Sequence, residues 1–452
     1  MDARVTVTSS REALISEYQR VRRDTETLCS PLAVDDYQIQ SMAQASPPKW
    51  HLAHVSWFFE AFVLPRFSPG YKAFNAQFDF LFNSYYDTHG EMHPRPRRGL
   101  LSRPTVDEVY RYRAEVDDSM RELVASVDDA QWQALAVSVI LGLNHEEQHQ
   151  ELMLADIKHN FWVNPMKPAY RDDLQVPSGT SRPTRWLECA GGIHQIGHTG
   201  EGFAYDNETP RHEVLLRDHR LADRFVTNGE YRDFIEDGGY DDPALWLSDG
   251  WALIHREGWR HPLYWQTVDA RWQQFTLAGL RELNLHEPVC HLSFYEADAY
   301  ARWAGKRLPL ESELEVLLTG QPLTGNFADS GLLHPAPAGD GSQWYGDLWA
   351  WTGSCYAAYP GFMPLAGSVG EYNGKFMSNQ MVLKGACCAT PRGHTRAAYR
   401  NFFYADERLM QKVTFHDHKP ATLNFYDAVI NGLSLKRKSI PPKFFYDEWG
   451  SK

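Results

Sequence analysis

The segment LNHEEQHQE places His145 and His149 four residues apart, with Glu146, Glu147, Gln148 and Glu151 around them. In a helix of 3.6 residues per turn the two imidazoles share one face. Two such rings can bind one divalent ion, provided each free ring N–H finds an acceptor. The same letters satisfy H-E-x-x-H, the zinc-peptidase pattern in which Glu146 would act as base. A peptidase of the extended type would also need Gly at 152 and His at 155, where the chain has Leu152 and Ala155. The hydrolase reading is therefore weak, and Glu146 reads as a solvated carboxylate or one supporting the ligands from behind. Glu151 lies about 200° round the helix from His149, outside the same coordination sphere. A third ligand must come from elsewhere. The stretch WHLAH offers His51 and His54, about 60° apart on their helix, and periodicity leaves both open.

Those rings need helices to carry them. Ser46-Pro47-Pro48 reads as a helix opening, a Ser cap followed by Pro in the first turn. The helix should run through WHLAHVSWFFEAFVL and stop before Pro65. Another begins near Asp128-Asp129 and continues to about residue 160. Leu141, Leu152 and Asp156 extend the His145/His149 stripe, so the rings face a bundle interior. About four such helices between residues 10 and 165 predict a bundle. Residues 172–184, DDLQVPSGTSRPT, read as a linker. Beyond them come short strands and many Gly and Trp. One clear helix follows the capping box Ser293/Glu296 and stops at Gly305.

A chain of 452 residues exceeds one hydrophobic core, so two domains are expected. The formal net charge of -13 argues against nucleic acid as a partner. No window approaches a membrane span and no signal-peptide stretch opens the chain. Six scattered cysteines without a C-x-x-C pair suit reduced thiols in a cytoplasmic enzyme.

The first half resembles the DinB-like four-helix bundles, whose metal pattern is an early His plus H-x-x-x-H-x-E on a later helix. The second half resembles the formylglycine-generating-enzyme fold, a C-type-lectin-like mixed α/β domain with much irregular structure. That likeness runs through NETPRHEV (207–214), FVTNGEYRDFI (225–235), LWLSDGW (245–251), residues 288–315, LWAWTGS (348–354) and LKGACCATPRGHTRAAYRNFF (383–403). The pairing resembles the iron-dependent sulfoxide synthases of ergothioneine biosynthesis, the hercynine oxygenases. It implies an α+β chain with a bundle over 1–172, a linker over 173–184 and a second domain over 185–415.

The resemblance implies that His54, rather than His51, joins His145 and His149 as a facial triad for Fe(II). It implies an oxidoreductase joining the cysteine thiol to imidazole C2 of hercynine with dioxygen. Tyr85 and Tyr86 of FNSYYD are then the candidate proton or electron donors. Gln148 and Asn401 are placed at hercynine, and Phe402 and Phe403 suit its trimethylammonium. Many relatives have Trp-Asp where Phe402-Phe403 stand, which points to free cysteine rather than gamma-glutamylcysteine. A selenium-transferring synthase and a non-catalytic binding module are the other readings. Cys387-Cys388 departs from the relatives' Ser-Cys and reads as packed core thiols. Residues 416–452 resemble the start of a histidine methyltransferase, implying fusion or coupling to one. Forty residues cannot form that enzyme, so no methyltransferase activity is expected of the tail.

Overall fold

The computed structural model describes residues 10–408, with 411–412 and 416–417. The sequence over 416–452 that resembles a methyltransferase lies almost wholly outside the described residues. The amino-terminal part is helical: α1 (Arg11–Cys29), α2 (Pro48–Phe62), α3 (Leu64–Phe67), α4 (Gln77–Phe82), α5 (Val106–Ser126) and α6 (Asp129–Val163). Side chains open three of the long helices. Ser10 accepts from the Ala13 amide, Thr105 and Glu108 form a capping box, and Asp128 accepts from Gln131.

The opening of α2 differs from expectation. Pro47 is the cap residue and Pro48 the first helical position, so no side chain caps this helix. Ser46 instead receives Arg98 on its hydroxyl (2.9 Å) and gives its amide to Asp156 (2.8 Å). The local cap is replaced by long-range bonds to the cavity wall.

α2 packs against both α5 and α6, and α1 packs against α6. The approach of α2 to α6 depends on Gly142. A Cβ there would lie 2.5 Å from the Phe59 ring and 3.1 Å from Phe58. Behind α6, Glu146 is fully buried, bonded to Thr25 (2.7 Å), Arg22 (2.9 Å) and Arg113 (3.2 Å). This corrects the solvated reading of Glu146. Its charge is neutralised by two buried guanidiniums, without which burial would be costly.

The carboxy-terminal part mixes short strands and helices. Two strands, β1 (Trp186–Cys189) and β2 (Gly192–Ile196), precede β3 (His212–Leu216) and β4 (His219–Ala222). Two helices, α7 (Asn228–Glu236) and α8 (Ser248–Glu257), lead to an antiparallel meander of β5 (Trp265–Val268), β6 (Arg271–Thr276) and β7 (Gly279–Glu282). Then come α9 (Phe294–Trp303) and α10 (Glu311–Thr319), with the short parallel pair β8 (Gly325–Asn326) and β9 (Tyr345–Gly346). The last elements are β10 (Trp349–Cys355), α11 (Glu371–Lys375), β11 (Gln380–Gly385), β12 (Asn401–Tyr404), β13 (Gln411–Lys412) and β14 (His416–Asp417). The four-stranded sheet has the order β12-β11-β10-β13. The expected Ser293/Glu296 capping box opens α9, and Gly305 follows it at φ +66. The fold class is α+β, as the sequence implies.

One helix ties the two parts together. From α6, Glu147 accepts from His394 (3.2 Å) and Gln148 donates to the Tyr399 hydroxyl (2.7 Å). Glu151 accepts from the Trp349 indole (2.5 Å) and the Thr390 hydroxyl (2.6 Å). Burial raises the Glu151 pKa against these hydrogen bonds, which lower it. Cys387 and Cys388 are buried and form no disulfide beside this tie.

Candidate metal centre and its cavity

His54 from α2 meets His145 and His149 from α6, with one ring nitrogen of each within 4.8 Å of the others. His54 Nε2 and His145 Nε2 are 3.1 Å apart. Two nitrogens each about 2.1 Å from one ion and at right angles are separated by about 3 Å, so the spacing suits shared coordination. Burial lowers the pKa of all three rings, that of His145 to about 4. They are neutral near pH 7, which is the ligating form. His54 Nδ1 donates to the Phe82 carbonyl (2.6 Å), leaving Nε2 as the lone-pair nitrogen. Trp50 stacks on His54 at 4.5 Å and 14°, and Trp57 at 5.5 Å and 18°. The donor set and the fixed tautomer therefore fit a divalent ion. His51 offers no free nitrogen, both of its ring nitrogens being engaged, by His149 and Asp156.

The rings line a cavity of about 180 Å³ between the two parts of the chain. Gln148, Asn401, Phe402, Phe403, Tyr85 and Tyr86 all border it. Asn401 accepts the Phe402 amide on its side-chain oxygen, and Phe402 stacks on Tyr356 at 4.0 Å. Tyr85 sits at φ +68, a left-handed conformation unusual for a residue with a side chain. Its hydroxyl is engaged by Arg95 and its carbonyl by Lys375. Tyr86 packs on Trp57, Phe62 and Tyr372, and its hydroxyl has no hydrogen-bond partner among the described residues. Burial pushes its phenol pKa up.

Sequence reasoning overlooked three charged groups in this wall. Arg98 is buried, stacked 3.3 Å over Trp50, and bonded to Ser46 and Ser84 (2.8 Å). It has no carboxylate partner among the described residues. Arg95 likewise binds Tyr85 and the Gln44 carbonyl. Glu407 borders the same space with no side-chain partner among the described residues. Burial raises its carboxyl to about 7, with Arg95 pulling it down. The run RPRR (95–98) was the visible signal for the arginines, and nothing in the sequence singled out Glu407. The zinc-peptidase arrangement is absent: Glu146 is locked among Arg22, Thr25 and Arg113 and does not border the cavity.

Residues 17–153 match the DinB superfamily, and 175–344 match the sulfatase-modifying factor enzyme 1-like domain. Hercynine oxygenase of Mycolicibacterium smegmatis is 30% identical, over 87% of this chain and 95% of that protein. The chain belongs to the hercynine oxygenase family. The Mycobacterium tuberculosis hercynine oxygenase is also 30% identical, over 79% of this chain and 87% of its own. Ergothioneine biosynthesis protein 1 of Schizosaccharomyces pombe is 28% identical over 45% of this chain and 26% of that protein. Membership in the hercynine oxygenase family makes the chain an oxidoreductase. Among the described residues no helix is long and apolar enough to cross a membrane.

Proposed function

We propose that this enzyme is a non-haem iron(II) sulfoxide synthase that joins the thiol of cysteine to imidazole C2 of hercynine in ergothioneine biosynthesis. The observation that carries the reading is the convergence of His54, His145 and His149 on a cavity with aromatic walls and unpaired guanidiniums. Iron(II) held by these rings would supply a redox centre at which a thiol and dioxygen can react. The stoichiometry balances: the S–H and C2–H hydrogens leave in water, one oxygen atom stays on sulfur, and four electrons pass to dioxygen.

The protein's own part is to bind, orient and hand over protons. Arg95 and Arg98 offer guanidiniums to substrate carboxylates, which they can bind through two N–H groups each. Glu407 supplies the opposite charge for the cysteine ammonium. Gln148 and Asn401 border the place assigned to the hercynine imidazole, and Phe402 and Phe403 face its trimethylammonium by cation–π attraction. Holding C2 beside sulfur converts an encounter into an intramolecular step. Of the tyrosine pair, Tyr86 is assigned the proton donor, because its hydroxyl is unengaged whereas that of Tyr85 is held by Arg95.

The proposed division of the chain is a bundle over 1–172, a linker over 173–184 and a second domain over 185–415. Functional coupling to a histidine methyltransferase and a cytoplasmic location complete the reading. The test is product mass after anaerobic loading with Fe(II) and addition of oxygen, hercynine and either cysteine or gamma-glutamylcysteine. A cysteinyl hercynine sulfoxide is expected. Product from gamma-glutamylcysteine alone would move the sulfur donor, and no hercynine-dependent oxygen uptake would end the proposal.

A further inference from the structure

His51 is buried, on the same helix as His54, yet it presents no free nitrogen to the cavity. Its Nε2 lies 3.0 Å from Asp156 Oδ2, and its Nδ1 lies 2.8 Å from His149 Nδ1. Asp156 is also buried, and its Oδ2 already accepts the Ser46 amide at 2.8 Å. A carboxylate can only accept, so the proton must sit on His51 Nε2. A neutral imidazole carries one proton, so His51 Nδ1 is an acceptor. The proton between the two rings must then belong to His149 Nδ1. That leaves the lone pair of His149 on Nε2.

The three rings at the centre are supported unequally. His54 is held by a backbone carbonyl, His149 by an imidazole backed by a carboxylate, and His145 Nδ1 has no partner among the described residues. A donor ring held by an acceptor cannot swing freely and is made more basic by it.

We infer that His51 is a positioning residue of the metal centre, fixing through Asp156 which nitrogen His149 offers to the ion. The inference rests on the proposed metal role of His149. The reversed arrangement, with a proton on His149 Nε2, would block that nitrogen. The chain Asp156–His51–His149 also explains why two histidines three residues apart on α2 have different duties. His54 donates to the ion, whereas His51 sets the state of a donor on the facing helix.

The test compares Co(II) and anaerobic Fe(II) binding by chelator competition in wild type, His51→Leu and His51→Gln, together with the Co(II) visible spectrum and the melting of metal-free protein. His51→Leu removes the acceptor and should weaken binding by about 10–100-fold, the usual range for an outer hydrogen-bond partner. His51→Gln retains an oxygen acceptor and should recover much of that loss and the wild-type spectrum. Folded His51→Leu with wild-type affinity would overturn the inference. Equal weakening in both variants would also overturn it, since it would mark a packing effect. Independently of any variant, nitrogen-15 spectra of the metal-free wild type should show protons on His51 Nε2 and His149 Nδ1. The opposite placement would refute the chain of bonds. If wild type binds neither ion, the proposed function falls with the inference; tight wild-type binding unmoved by His51→Leu removes the inference alone.

Discussion

On one side of the cavity, His54, His145 and His149 project from two long helices pressed together over Gly142. On the other, Asn401, Phe402 and Phe403 come from the four-residue strand β12, and Glu407 from the turn beyond it. The helical wall is held by buried ion pairs and gains precision from regular geometry. The opposite wall is shaped by short segments whose positions depend on distant contacts. On the proposed reading the metal belongs to the stiff wall, while the substrates are met by Gln148, Arg95 and Arg98 as well as by the adaptable wall. Glu147, Gln148 and Glu151 keep the two in register, because they branch from the helix that bears His145 and His149.

Variants that remove a ligand should show the largest effects. His54→Ala, His145→Ala or His149→Ala should each abolish hercynine-dependent oxygen uptake, exceeding the roughly hundredfold ceiling for losing an outer partner. Metal content by mass spectrometry should fall in parallel; retention of iron by His54→Ala would break the assignment. Next comes Tyr86→Phe, with coupled-product turnover down about 100-fold or more if the phenol is the proton donor. Tyr85→Phe should cost less, and the reverse order, measured by product yield per oxygen consumed, would exchange their roles.

The stiff wall can also be broken without touching the ion. Glu146→Gln leaves Arg22 and Arg113 short of a buried counter-charge and should cost about 3–5 kcal/mol in denaturant unfolding. A stable Glu146→Gln protein that loses activity alone would instead revive a catalytic carboxylate. On the adaptable wall, Glu407→Gln should raise the KM for cysteine about tenfold, the loss of one charge-assisted contact. It should leave the KM for hercynine near its original value. An equal rise for both substrates would remove the ammonium assignment.

A further prediction concerns the pH response of metal-free protein. Burial lowers the His334 pKa from 6.5 to about 4. As pH falls through 6.5 the unfolded chain takes up this proton while the folded chain does not, so stability drops until about pH 4. The slope is about 1.4 kcal/mol per pH unit for one such group. His334→Phe should lose less stability than wild type between those limits, the remaining fall coming from the buried His54, His145 and His149; an unchanged slope in the melting temperature would remove the assignment to His334.

The sequence was most readable where regular geometry ruled. The four-residue spacing of His145 and His149 survives into the structure because a helix converts spacing directly into direction. His51 and His54 were indistinguishable by period, since both face inward, and their separation came from what α6 places opposite them. Ser46 misled because a hydroxyl before Pro-Pro suits a local cap, yet Arg98 and Asp156 claim it from 52 and 110 residues away. Glu146 could be read from sequence as solvated or as a support behind the imidazoles; α1 and α5 bury it between two arginines. Glu407 could not be found at all, because a lone acid in a loop carries no pattern.

The indole of Trp50, stacked flat on His54 with Arg98 close to its ring, makes the centre optically legible. A redox-active ion held by His54 would lie within quenching reach of that excited state, whereas a closed-shell ion would lack the same electron-transfer route. The emission difference between wild type and Trp50→Phe isolates this indole from the other tryptophans. With the proposed ion bound, the chain would carry its own fluorescent gauge of that ion's redox character.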